Sequence, residues 1–134
     1  MTLPDVNRYD PATDTWTAIA PMRMERQMFA VAVINGSIIV AGGFAPGRQP
    51  LATMTVEQYD AVTNTWTTCA PMPTARGNVA SCVVGTCLYV LGGLETLNNT
   101  NCLATVERYD ADADRWEPCP PMPTGRCYMG STAL

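Results

Sequence analysis

Histidine is absent from the 134 residues, and charge is scarce. Eight Lys and Arg stand against twelve Asp and Glu, a formal net charge of −4. Without a run of basic residues the chain has no means of neutralising a line of phosphates, which argues against a nucleic-acid groove. The missing imidazoles remove the usual ligands of a copper site. With no Cys-x-x-Cys pair, a zinc site is set aside as well. No cofactor and no metal are therefore expected. No apolar stretch approaches the roughly 20 residues of a membrane helix, so no membrane partner is expected. The opening MTLPDVNRYD has neither a basic start nor an apolar core and does not read as a signal peptide.

Six cysteines are present, yet Cys69 and Cys119 sit at the same place in successive copies of a repeat. Their spacing follows that repeat and not a bridging plan, and reduced thiols in the cytoplasm are the expectation. Of two glycosylation triplets, Asn35-Gly36-Ser37 and Asn98-Asn99-Thr100, the first reads better as a tight hairpin turn.

What the chain does have is one idea written three times. VNRYDPATDTW (6–16), VEQYDAVTNTW (56–66) and VERYDADADRW (106–116) are spaced by fifty residues. Trp16, Trp66 and Trp116 close these segments. Pro21-Met22, Pro71-Met72 and Pro121-Met122 follow, and then Arg26, Arg76 and Arg126. Gly42-Gly43 and Gly92-Gly93 end two apolar runs. Residues 56–76 and 106–126 share 12 of 21 positions, too many for chance.

Each period reads as four short strands. The first runs through MFAVAVI (28–34), NVASCVV (78–84) and YMGSTA (128–133), and the second through SIIVAGG (37–43) and CLYVLGG (87–93). Turns at Asn35-Gly36 and Gly85-Thr86 join these pairs as hairpins. The VEQYD and TWTTC types are the third and fourth strands. Asp10, Asp60 and Asp110 start the turn between them, where a short carboxylate accepts backbone N–H bonds. Nothing holds a 3.6-residue period, so no helix is expected. The first two strands are apolar without alternation and should be covered on both faces. The third and fourth are more polar and should lie nearer solvent. Each glycine pair marks a place where something large or another backbone must come close, with the tryptophan of the fourth strand as the expected large neighbour.

The order Gly-Gly, Val-Glu-x-Tyr-Asp, Trp, Pro-Met, Arg resembles the kelch repeat, in the variant of the BTB-kelch proteins, over nearly the whole chain. The resemblance implies an all-β fold, a partial kelch β-propeller of four-stranded antiparallel blades. Residues 1–20 would be a half blade (strands three and four), 26–70 and 76–120 full blades, and 126–134 a lone first strand. It also implies a propeller that grips a protein partner, which many members deliver to a cullin-type ubiquitin ligase through a separate BTB domain. The resemblance implies six blades, and propellers in general need at least four. The chain is therefore expected to be a piece of a longer kelch protein, or to be completed by a partner chain or by self-association. In a two-chain ring each junction would still lack a second strand.

Residues that recur in every copy serve the scaffold: Trp16, Trp66, Trp116, Gly42, Gly43, Gly92, Gly93, Arg26, Arg76 and Arg126. The arginines are expected to pair within the blade, with Glu57 and Glu107 as candidate partners, although position 7 is Asn. Specificity belongs to the connections that differ. FAPGRQPLATM (44–54) and LETLNNTNCLA (94–104) follow the second strands, and short linkers join the blades. Both sets should emerge at one end of the blades. Arg48, Gln49, Glu95, Asn98 and Asn99 are the candidate partner contacts, with Arg23 and Glu25 beside them. Phe44 fits either a buried loop anchor or an exposed contact. No unmatched carboxylate pair stands out for acid–base work, so the chain is not expected to be an enzyme. The function expected is protein–protein interaction. The alternatives are a kelch-fold enzyme fragment and a thiol-based redox sensor, the latter using Cys102 in a variable loop and Cys127 beside Arg126.

Overall fold

The structure, a computed structural model, describes residues 4–48 and 51–134. Its elements are short strands joined by tight turns. Strands β1 (Val6–Asp10) and β2 (Thr15–Ile19) form a two-stranded antiparallel sheet. Strands β3 (Ala30–Ile34), β4 (Ser37–Ala41), β5 (Val56–Asp60) and β6 (Thr65–Cys69) form a four-stranded sheet in that order. Strands β7 (Ala80–Val84), β8 (Cys87–Leu91), β9 (Val106–Asp110) and β10 (Arg115–Cys119) repeat it. No α-helix occurs among the described residues; Pro46–Arg48 makes a single 3-10 turn. The molecule is a partial propeller of antiparallel blades.

Turn chemistry sets the registers. Asn35 and Gly36 both have positive φ (53° and 76°), the condition for a two-residue turn whose twist matches the strands, and Ile34 pairs with Ser37 across it. At the outer hairpins, Asp10, Asp60 and Asp110 each accept a backbone N–H two residues on, at 2.8–3.0 Å. Asp14, Asn64 and Asp114 complete these turns at positive φ, a conformation that Asn and Asp tolerate better than other side chains.

These last three residues also join blades. Tyr59 and Tyr109 donate their hydroxyls to Asn64 Oδ1 (2.9 Å) and Asp114 Oδ1 (2.7 Å). The same oxygens accept the N–H of Ala20 and Ala70 on the preceding blade. Trp66 and Trp116 donate their indole N–H to the carbonyls of those same alanines, at 2.7 and 2.9 Å. A tyrosine, a tryptophan and an amide or carboxylate thus clamp each blade to the one before it. Between the two full blades Ala32, Ile34, Ile39, Val56, Leu88 and Tyr109 form the main core.

Four expectations need correction. First, β3 alternates. Ala30, Ala32 and Ile34 are buried against the next blade, but Val31 and Val33 are 55 % and 65 % exposed. They face the two-stranded half blade, which has no inner strands to cover them. A groove of about 320 Å³ remains there, lined by Val6, Ile19, Val33, Ile38 and Tyr59 among others. Second, the VEQYD strand is not near solvent: Val56, Glu57 and Tyr59 are all buried. Third, residues 126–134 contain no strand. A first strand pairs with a second, and none stands beside them. Fourth, of the two neighbours expected at the glycine pairs, it is a backbone and not the tryptophan that comes close. A Cβ on Gly42 would lie 2.4 Å from the carbonyl oxygen of Arg76, and one on Gly92 2.1 Å from that of Arg126. The bulky neighbour is the backbone of the following linker.

Candidate functional site

The site is built on a buried frame. Arg26 N–H groups donate to the carbonyls of Gly42 (2.8 Å) and Thr55 (3.0 Å) and to Glu57 Oε2 (2.5 Å). Arg76 repeats this with Gly92 (2.8 Å), Thr105 (2.9 Å) and Glu107 Oε2 (2.9 Å), and adds the Val90 carbonyl. Both side chains are fully enclosed. Burial pulls their guanidinium pKa values down, and the paired glutamate opposes that shift. A planar fork reaching two carbonyls and a carboxylate ties the linker to the end of strand two and the start of strand three. Arg126 differs. Its backbone N–H donates to the Leu103 carbonyl (3.0 Å), but its side chain is exposed and in no ion pair among the described residues.

On this frame the linkers lie directly against the loops. Gln27 pairs with Phe44, and Gly77 with Leu94, as isolated antiparallel bridges. Phe44 is the loop anchor: it is fully buried, with its ring on Gly77, where an added Cβ would meet ring carbons at 2.4–2.6 Å. Leu94, its repeat equivalent, is buried likewise. The two variable loops also meet each other. Ala52 donates its N–H to the Glu95 carbonyl (2.8 Å), and Leu51 bridges to Thr96. Loops from successive blades therefore form one continuous surface.

The predicted contact residues fall unevenly on it. Glu95 and Asn98 are exposed on the second loop. Asn99 is half-buried, and its Oδ1 accepts the Asn101 N–H (2.9 Å), so its side chain is already engaged in shaping the loop. Arg23 and Glu25 are exposed on the first linker, and the Arg23 N–H donates to Glu57 Oε1 (2.6 Å). Arg48 ends the 3-10 turn; its side chain, and Gln49 altogether, lie outside the described residues.

Sequence reasoning missed the apolar contribution. Leu51 is 61 % and Met54 44 % exposed, on the same loop. Their equivalents in the next copy are Asn101 and Ala104, so a comparison of copies for apolar replacements held the signal. It also missed residues 28, 78 and 128. All three have positive φ. Asn78 donates its N–H to the Met28 carbonyl (2.9 Å), and Tyr128 to that of Asn78 (3.3 Å), a ladder running from blade to blade. Met28 and Tyr128 are exposed, and bulky residues in this conformation are uncommon.

The expectation of reduced thiols throughout also needs correction. Cys102 and Cys127 are joined as a disulfide, with Cα atoms 5.3 Å apart. The loop and the following linker run side by side, so residues 25 positions apart in sequence become neighbours. Cys69, Cys82, Cys87 and Cys119 are free.

Comparison with known proteins agrees with this architecture. A family model described as Kelch motif matches residues 25–73 and 75–123. The mouse protein Kelch-like protein 1 is 43 % identical over 49 residues, which is 37 % of this chain and 6 % of that protein. A zebrafish protein named Influenza virus NS1A-binding protein homolog B is 53 % identical over 38 residues, 28 % of this chain and again 6 % of its own length. The match thus spans a small part of these relatives. Among solved structures, one titled "Structure of YjhT" superposes with a TM-score of 0.80 at 16 % identity, over 92 % of this chain and 45 % of that one, a likeness of fold.

Proposed function

The chain belongs to the Kelch motif family, and on that premise we propose that it is a non-enzymatic protein-interaction module whose contact surface is the merged loop end of its blades. Kelch repeats generally mediate protein–protein binding. One observation carries the placement: the two connections that vary between copies bond to each other through Ala52 and Glu95, the first exposing Leu51 and Met54 and the second Glu95 and Asn98. Apolar anchors ringed by polar groups, on a frame locked by buried ion pairs, need no chemistry beyond complementarity. The finer reading is the substrate-recognition part of an adaptor that brings its partner to a cullin-type ubiquitin ligase. The BTB-kelch pattern of the repeats supports it. We place the protein in the cytoplasm, in keeping with four free thiols among six cysteines.

The test compares proteins retained by the wild-type chain with those retained by Leu51→Asp/Met54→Asp. A second variant, Val62→Asp, alters a fully exposed residue at the opposite end, in the turn between β5 and β6. Retention of specific partners should fall at least about tenfold for the loop variant, as expected when anchor residues carry most of the binding energy. It should stay unchanged for Val62→Asp, and both variants should unfold at the wild-type denaturant concentration. Partners lost through Val62→Asp, and kept by the loop variant, would move the surface to the other end.

A further inference from the structure

We propose that Cys102 and Cys127 form a reversible dithiol–disulfide site that sets how firmly the second variable loop and the segment after Arg126 are held together. Its regulatory consequence rests on the loop end being the interaction surface argued above. The repeat supplies an internal control. At the preceding junction the equivalent positions are Ala52 and Gly77, where no such bond can form. Yet the backbone closes in the same way at both. Gly43 donates to the Arg76 carbonyl (3.0 Å) and Thr53 to that of Gly43 (2.8 Å). Gly93 donates to Arg126 (2.9 Å) and Leu103 to Gly93 (2.9 Å). The frame therefore stands without a covalent bond, and the disulfide is added to it.

A second observation is that the backbone comes unusually close beside that bond. A Cβ on Gly125 would lie 2.0 Å from the Cys102 carbonyl oxygen and 3.0 Å from its carbonyl carbon. The equivalent residue at the preceding junction is Ala75, which carries a Cβ. The two segments come this close only where residue 125 has no side chain. Gly125 is not among the positive-φ residues, so the requirement is for space rather than for an unusual backbone.

The bond fastens what is otherwise weakly held. Beyond Cys127, the segment makes no strand and is joined to the preceding blade by Tyr128 N–H to the Asn78 carbonyl (3.3 Å) and Ser131 Oγ to the Ser81 carbonyl (2.8 Å). Both cysteines are only half-buried, within reach of small thiols. A small-molecule thiolate attacks one sulfur and breaks the S–S bond, leaving a mixed disulfide and one free cysteine. A second thiol releases the other cysteine and departs as the small-molecule disulfide. Two electrons and two protons pass to the protein pair. In the reverse direction the small-molecule disulfide is the oxidant.

The experiment equilibrates the full chain over a series of ratios of a small thiol to its disulfide, quenches with an alkylating agent, and reads each cysteine by peptide mass spectrometry. Labelling of Cys102 and Cys127 should fall together, by about tenfold or more across the series. The other four cysteines should stay labelled. On reduction, amide exchange should rise at 98–104 and 127–134 and stay constant in β3 to β9. Gly125→Ala keeps both thiols but should shift the midpoint by about tenfold toward the oxidising side. Cys102→Ser/Cys127→Ser should show the reduced exchange pattern at every ratio. Independent titration of the two cysteines, or exchange indifferent to redox state, would overturn the proposal. None of these readouts uses a partner, so a wrong contact surface would appear separately, in the loop-variant comparison. With both intact, partner retention should differ several-fold between the two redox states, and equal retention would remove the regulatory role.

Discussion

Replacing Arg76 with leucine should lower the unfolding free energy by about 3–5 kcal/mol, the cost of breaking a buried ion pair from one side. Arg76 is completely buried and bonds three backbone carbonyls and Glu107. Its loss strands the Glu107 carboxylate, which is 4 % exposed and among the described residues keeps only the Thr74 hydroxyl at 2.8 Å. The pair itself need not be strongly favourable, since desolvating both charges offsets most of their attraction. Arg76 Nε is moreover buried without a partner. Arg76→Leu/Glu107→Leu should therefore recover more than half of the loss. Denaturant titration with linear extrapolation measures all three proteins. A single variant within about 1 kcal/mol of wild type would mean that the linker is held by other contacts. A double variant no more stable than the single would show that stranding the Glu107 carboxylate is not the source of the loss.

Trp66→Ala should cost about 3–5 kcal/mol, whereas Trp16→Ala, at the equivalent position, should cost less than about 1 kcal/mol. Both indoles tilt against the tyrosine of the neighbouring strand, at 5.2 and 5.1 Å between ring centres. They differ in what lies on the far side. Trp66 is 7 % exposed and donates to the Ala20 carbonyl at 2.7 Å, so its removal opens a cavity between blades and leaves that carbonyl without its donor. Trp16 is 70 % exposed, with no blade against it among the described residues. Trp16 should also be quenched readily by a soluble collisional quencher, and Trp66 weakly. Equal losses at the two positions would mean that the tryptophan acts within its own sheet and not between sheets.

Much of the frame was readable because its chemistry is local and periodic. A carboxylate two residues from the amide it caps, as at Asp60 and Val62, needs no knowledge of the fold. The Asn35-Gly36 turn is of the same kind. The pairing of Arg76 with Glu107 was readable for another reason: Arg26 and Glu57 stand at the same separation one period earlier, so the two pairs are one pattern repeated, although Arg126 does not extend it. Phase alone misled where covering was uneven. Val31 and Val33 look like core, and would be so only with sheet on both sides.

The sequence by itself determined the ten strands from Val6 to Cys119, their hairpins, the recurrence of tryptophan and arginine, and which connections vary. These follow from side-chain and backbone preferences that act over a few residues and are repeated at one period. Only the tertiary structure decided that Asn64 and Asp114 clamp residues 44 positions away, that Leu51 and Met54 stay in solvent on a loop bonded to Glu95, and that Cys102 meets Cys127. Each of those depends on distance between segments far apart in the chain. Such distances are set by how one sheet stacks on the next and by how little room a residue such as Gly125 occupies, and no spacing along the chain encodes them.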